Sequence, residues 1–130
     1  MNDRAVKANL SRAIQQFNNQ EFFNCHETLE LIWLNQQNNE RDFYRGILHI
    51  AVSLLHLSHK NLNGVFLQIR KAERRLQSFL PLYCGMLVEK ILWESKILIF
   101  SFAQNKTKFY NETSEIKYPH IIWHESSFQN

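Results

Sequence analysis

Residues 41–59 read RDFYRGILHIAVSLLHLSH. On a wheel at about 100° per residue, Phe43, Tyr44, Ile47, Leu48, Ile50, Ala51, Leu54, Leu55 and Leu57 cover more than half of the circumference. Arg45, Gly46, His49, Ser53 and His56 share the remaining strip, and Lys60 continues it. A helix apolar over most of its surface belongs at the centre of a bundle, because it must be covered from several sides. His49 and His56, seven residues apart, stand almost one above the other. Gly46 and Ser53 on the same strip are small enough to let another helix approach closely. The stretch therefore predicts an all-α fold assembled around it.

Working outward, the same periodicity near 3.6 predicts four more helices. The first covers 3–17, with Val6, Leu10, Ala13, Ile14 and Phe17 inward. The second covers 20–35 and is followed by a polar loop over 36–40. The fourth covers 63–79, burying Val65, Ile69, Ala72, Leu76 and Phe79 and exposing Gln68, Lys71 and Arg75. The fifth covers 87–104, burying Leu87, Val88, Ile91, Leu92, Leu98 and Phe102. Asn18-Asn19, Asn61 with Asn63, and Pro81 with Gly85 supply the breaks. After Asn105 the periodicity fades into a polar tail. Within it Tyr118–Trp123 is expected to be extended, since Pro119 disfavours helix, and to pack back through its apolar residues. The expected organisation is a single-domain bundle of about five helices over residues 1–110, with an extended C-terminal tail over 111–130.

Composition agrees with that reading. A chain of 130 residues with 45% hydrophobic content, three Gly and two Pro suits one helical domain with a sizeable core. A net charge of +3 and a pI near 9.0 are compatible with an anionic partner without requiring one. Cys25 and Cys84 are far apart and form no CxxC or Cys/His metal pattern. The N-terminal MNDRAVKANL lacks the apolar run of a secretory signal. Free thiols in a reduced compartment, cytoplasm or plastid stroma, are expected. The longest apolar run, 97–103, is far short of the roughly 20 residues of a membrane span, so a soluble protein without membrane contact is expected.

The chemistry concentrates in residues 24–33, NCHETLELIW. A zinc-protease helix needs His at both i and i+4 with Glu as general base; here Glu30 holds the second position, and that reading is set aside. On the wheel Asn24, Thr28 and Asn35 form the polar wedge, and His26, Glu27 and Glu30 fall away from it among aromatics. They are therefore expected to be largely buried. Buried carboxylates need partners, and the strip carrying Arg45, His49 and His56 offers them, with Trp33 alongside and Asn61 as a cap. The expected cluster lies between helices two and three: His26, Glu27, Glu30, Trp33, Arg45, His49, His56 and Asn61.

Three readings of that cluster stand side by side. The first is a ligand- or partner-binding helical domain, in which the cluster shapes a pocket or fixes packing by hydrogen bonds. The second is a metal-dependent hydrolase with His26, Glu30 and His56 as ligands and Glu27 as base. The third is weak polyanion binding by Arg70, Lys71, Arg74 and Arg75 on the fourth helix. No aromatics interleave that basic strip and no groove-reading motif accompanies it, which argues against nucleic acid. A homo-oligomer is an open alternative, and no cofactor is named by the residues.

The ordered pattern FNNQEFFNCHETLELIW, then RDFYRGILHIAVSLLHLSHKNLNG, resembles the family of small all-helical proteins known as domain of unknown function 309. The resemblance spans about residues 14–80. It rests on Phe17, Asn18, Phe23, His26, Glu27, Leu29, Glu30, Trp33, Arg41, Asp42, Phe43, Gly46, Ala51, His56, Asn61 and Gly64. Lys60 stands where that family usually has Gly, Val65 where Ala is usual, and His49 where Gln is common. A Gln does not usually ligate a metal, so His49 is a poor metal ligand by this comparison. The resemblance implies a helical bundle and adds no activity.

Overall fold

The first helix, α1 (Asp3–Asn18), starts where Asn2 accepts a hydrogen bond from the Ala5 amide at 2.8 Å, which satisfies one of the unpaired donors of the first turn. The computed structural model describes residues 1–105 and 116–128. Val6, Leu10, Ala13, Ile14 and Phe17 are buried, as their spacing predicts. The helix ends in a left-handed Gln20 (φ 61°). The Glu21 amide reaches back to the Gln16 carbonyl (2.8 Å) and the Gln20 amide to that of Phe17 (2.9 Å), the two bonds of a Schellman cap. Gln20 therefore closes the first helix instead of opening the second, and α2 runs Phe22–Leu34.

The central helix, α3, spans Glu40–Ser58, with Glu40 and Asp42 in its first turn, where carboxylates complement the helix dipole. It packs most extensively on α4 (Leu62–Leu76) and next on α2, while α2 also packs on α1. Gly46 permits the α3–α4 approach: a Cβ there would run into the Leu76 side chain. Each large apolar side chain fully withdrawn from water on this helix contributes about 1.5–3 kcal/mol. Phe43, Tyr44, Ile47, Ile50, Leu54 and Leu57 all qualify.

α4 ends at Leu76 and tightens into a short 3-10 turn over Gln77–Phe79. A hairpin unforeseen by periodicity follows, β1 (Leu82–Tyr83) against β2 (Met86–Leu87). Its two central residues, Cys84 (φ 51°) and Gly85 (φ 83°), both adopt positive φ, the requirement of a type I′ turn. Tyr83 then stacks against Phe43 and Phe79 at 4.8 and 4.7 Å, and its hydroxyl donates to Glu40 at 2.8 Å. Finally α5 (Val88–Gln104) lies against α4 and α3.

The C-terminal segment returns over the hairpin. Met86 pairs with Trp123, the Trp123 indole donates to the Cys84 carbonyl at 2.8 Å, and the Asn18 side chain both accepts from and donates to the Ile121 backbone (2.7 and 3.1 Å). The boundary at residues 110/111 lies outside the described residues. The fold is all-α around one core, and no helix among the described residues is long and apolar enough to cross a membrane.

Candidate functional site

On α2 the orientation differs from the wheel reading. Thr28, assigned to the polar wedge, is buried, because its hydroxyl donates to Gln16 on α1 at 2.7 Å. Phe23, Leu31 and Leu34 face solvent instead, at 55, 44 and 60% exposure. Glu27 is exposed, and His26 and Glu30 retain 28 and 47% of their side-chain exposure. The expectation that all three are largely buried is therefore corrected. A helix apolar on nearly every side carries no internal preference for which face turns inward, so contact with α1 decides. His26 Nε2 lies 3.4 Å from Glu30 Oε2, one turn along the same helix.

At the other end of α2, Trp33 meets α3. The guanidinium carbons of Arg45 and Arg41 stand 4.8 and 5.2 Å from the centroid of its ring. Both are within cation–π range, where each contact contributes about 0.5–1 kcal/mol at a part-exposed site. Burial holds the Arg45 pKa below its usual value, and the nearby charges of Arg75 and Arg41 push the same way while Asp42 opposes them. Beside this platform are two adjoining depressions of about 300 and 590 Å³. The smaller is lined by Arg41 and Arg45, the larger by Arg74, Arg75 and Ser78, and Asn39 and Asp42 border both. Among the described residues Asp42 is the one acidic group lining either.

The α3–α4 seam closes the site from behind. Arg75 donates to Asp42 at 2.8 Å. His49 is 8% exposed, and its Nδ1–H donates to Gln68 Oε1 at 2.7 Å. Burial lowers the His49 pKa to about 4; Gln68 resists this, and Arg75, Lys71 and Arg45 reinforce it. The ring is thus neutral near pH 7, with Nε2 an acceptor that has no partner among the described residues. Arg75 Nε and Trp33 Nε1 are likewise buried without one. Gln68, Lys71 and Arg75, expected on the exposed face of α4, are half-buried against α3. The roles of Gln68 and Arg75 were invisible in sequence because each pairs with a residue 19 or more positions away.

His56 and Asn61 form a separate pair. Asn61 Nδ2 donates to His56 Nδ1 at 3.2 Å, and Asn61 Oδ1 caps α4 by accepting from the Gly64 amide at 3.2 Å. His56 sits eleven residues beyond Arg45, about 16 Å along the helix. The ligand set His26, Glu30 and His56 does not assemble: among the described residues no three His, Cys, Asp or Glu side chains converge as a metal would require. Cys25 is buried, and burial lifts its thiol pKa to about 12, partly offset by a hydrogen bond with the Phe17 backbone, so it is not a thiolate nucleophile.

The family model for the domain of unknown function DUF309 matches residues 10–67. Over these residues the chain is similar to the DUF309 family. The DUF309 stretch carries Trp33, Arg41, Asp42, Arg45 and His49, while Gln68, Lys71, Arg75 and all of α5 lie beyond it. No curated protein matches the chain.

Proposed function

We propose that this protein is a binding domain whose site recognises an anionic group, carboxylate or phosphate, held over the α2–α3–α4 end of the bundle. The observation that carries the reading is the gathering of Arg41, Arg45 and Arg75 around two depressions bordered by a single carboxylate, Asp42. The guanidinium group is a planar donor suited to bidentate contact with carboxylate or phosphate oxygens. Like charges set close together are relieved by an anion between them. Of the cluster expected from sequence, Arg45 lines one depression, Trp33 lies within cation–π distance of Arg41 and Arg45, and His49 bonds Gln68 on the α3–α4 seam. His26 and Glu30 pair with each other on α2, and Asn61 bonds His56 and caps α4.

Inorganic phosphate titrated at constant ionic strength should raise the melting temperature of the wild-type protein. Arg45→Gln combined with Arg75→Gln should abolish the rise, whereas Arg70→Gln, on the exposed face of α4, should preserve it. No response in the wild type, or an equal response in all three proteins, would overturn the proposal.

A further inference from the structure

The two depressions over the α2–α3–α4 end share a wall. Arg41 and Arg45, one turn apart on α3, line the smaller, of about 300 Å³. Arg74 and Arg75 on α4 line the larger, of about 590 Å³. A neutral donor accompanies each pair of arginines. Ser78 lines the larger depression and Asn38 the smaller. Because Asn38 Oδ1 already accepts from the Glu40 amide at 3.0 Å, the NH2 group is what Asn38 has left to offer a ligand.

The shared wall includes Asp42, which borders both depressions. Its carboxylate is tied to Arg75 at 2.8 Å and keeps half of its side chain in solvent. An anion centred between the two arginine pairs would meet this like charge, whereas an anion on either side of Asp42 meets two guanidiniums. The favourable positions are therefore two. Net charge points the same way. Among the described residues, four arginines and one aspartate line the depressions, a net charge of +3. A single phosphate supplies about −1.5 to −2 at neutral pH, and two linked phosphoryl groups supply about −3 or more. Beyond the effect of burial, the charges of Arg75 and Arg41 lower the Arg45 pKa, so an anion serving one depression alone leaves part of that repulsion in place. Resting on the anion-binding reading above, we propose that the ligand carries two phosphoryl groups joined by a short linker, as in a short oligophosphate chain, with one group in each depression on either side of Asp42.

Calorimetric titration at constant ionic strength, without divalent cations, compares inorganic phosphate, diphosphate and tripolyphosphate. The better of the two chains should bind about ten-fold or more tightly than phosphate, since its second group binds as an intramolecular partner. Arg41→Gln and Arg74→Gln, each removing one exposed arginine from a different depression, should each abolish most of that gain. Arg70→Gln, exposed on the same helix as Arg74 and lining neither depression, should keep it. ATP presents the same chain on a nucleoside: tighter binding than tripolyphosphate assigns a nucleotide as the source, and equal or weaker binding assigns free oligophosphate. Chains that bind no more tightly than phosphate overturn this inference and leave a single-anion site standing. Failure of phosphate and chains alike overturns both. Equal losses in Arg70→Gln and Arg74→Gln would mean general attraction of a polyanion to a basic surface, and they overturn the inference too.

Discussion

At residue scale, Lys60 carries a cost that its position makes measurable. The amides of Lys60 and Asn61 reach back to Leu57 (3.0 Å) and His56 (2.9 Å), and Lys60 has φ 60°, so it is the left-handed residue closing α3. A side chain in that conformation costs about 1 kcal/mol relative to Gly, which explains why Gly is usual there in the family this chain resembles. Lys60→Gly should raise stability by about 0.5–1 kcal/mol in urea denaturation. His49 makes a second prediction. Its pKa is about 4 folded against 6.5 free, so as pH falls the unfolded chain takes up the proton first. The stability it contributes is complete above pH 6.5 and is lost as pH falls toward 4, amounting to at most about 3 kcal/mol. Denaturation at pH 7 and pH 4.5 should show His49→Gln losing less stability over that interval than the wild type.

At element scale, the α3–α4 seam and the α2 face show opposite degrees of legibility. The span of α3 and the inward face of α1 follow directly from spacing, since each has one continuous apolar side. Gly46 was readable as a point of close approach, and Leu76 is what approaches. Gly46→Ala should cost about 1–3 kcal/mol through overpacking, despite Ala being the better helix former; a neutral result in thermal denaturation would mean that Leu76 can move aside. The rotation of α2 was not readable, because Phe22, Phe23, Leu29, Leu31 and Leu34 surround it, and packing on α1 and α3, with the bond from Thr28 to Gln16, turns Phe22, Cys25, Leu29 and Ile32 inward. The hairpin at Leu82–Leu87 escaped notice for another reason: strands of two residues have no period to detect. Gly85 alone was visible, as a break.

At the scale of the whole molecule, the candidate site was legible in its parts and not in its assembly. Trp33 and Arg45 stood out as an aromatic and a cation on helices with little other polarity. Gln68 and Arg75 did not, since an amphipathic helix with Arg70, Lys71, Arg74 and Arg75 in a run reads as a solvated face until α3 is placed beside it. The Asn18–Ile121 bonds join residues 103 positions apart. For an unfolded chain, closing a loop of that length costs roughly 4 kcal/mol in chain entropy, more than two such hydrogen bonds return at about 1 kcal/mol each. Once α1 to α5 have packed, most of that distance has already been closed by the bundle. The C-terminal segment is therefore expected to dock on a bundle already packed, so that its attachment reports an intact bundle.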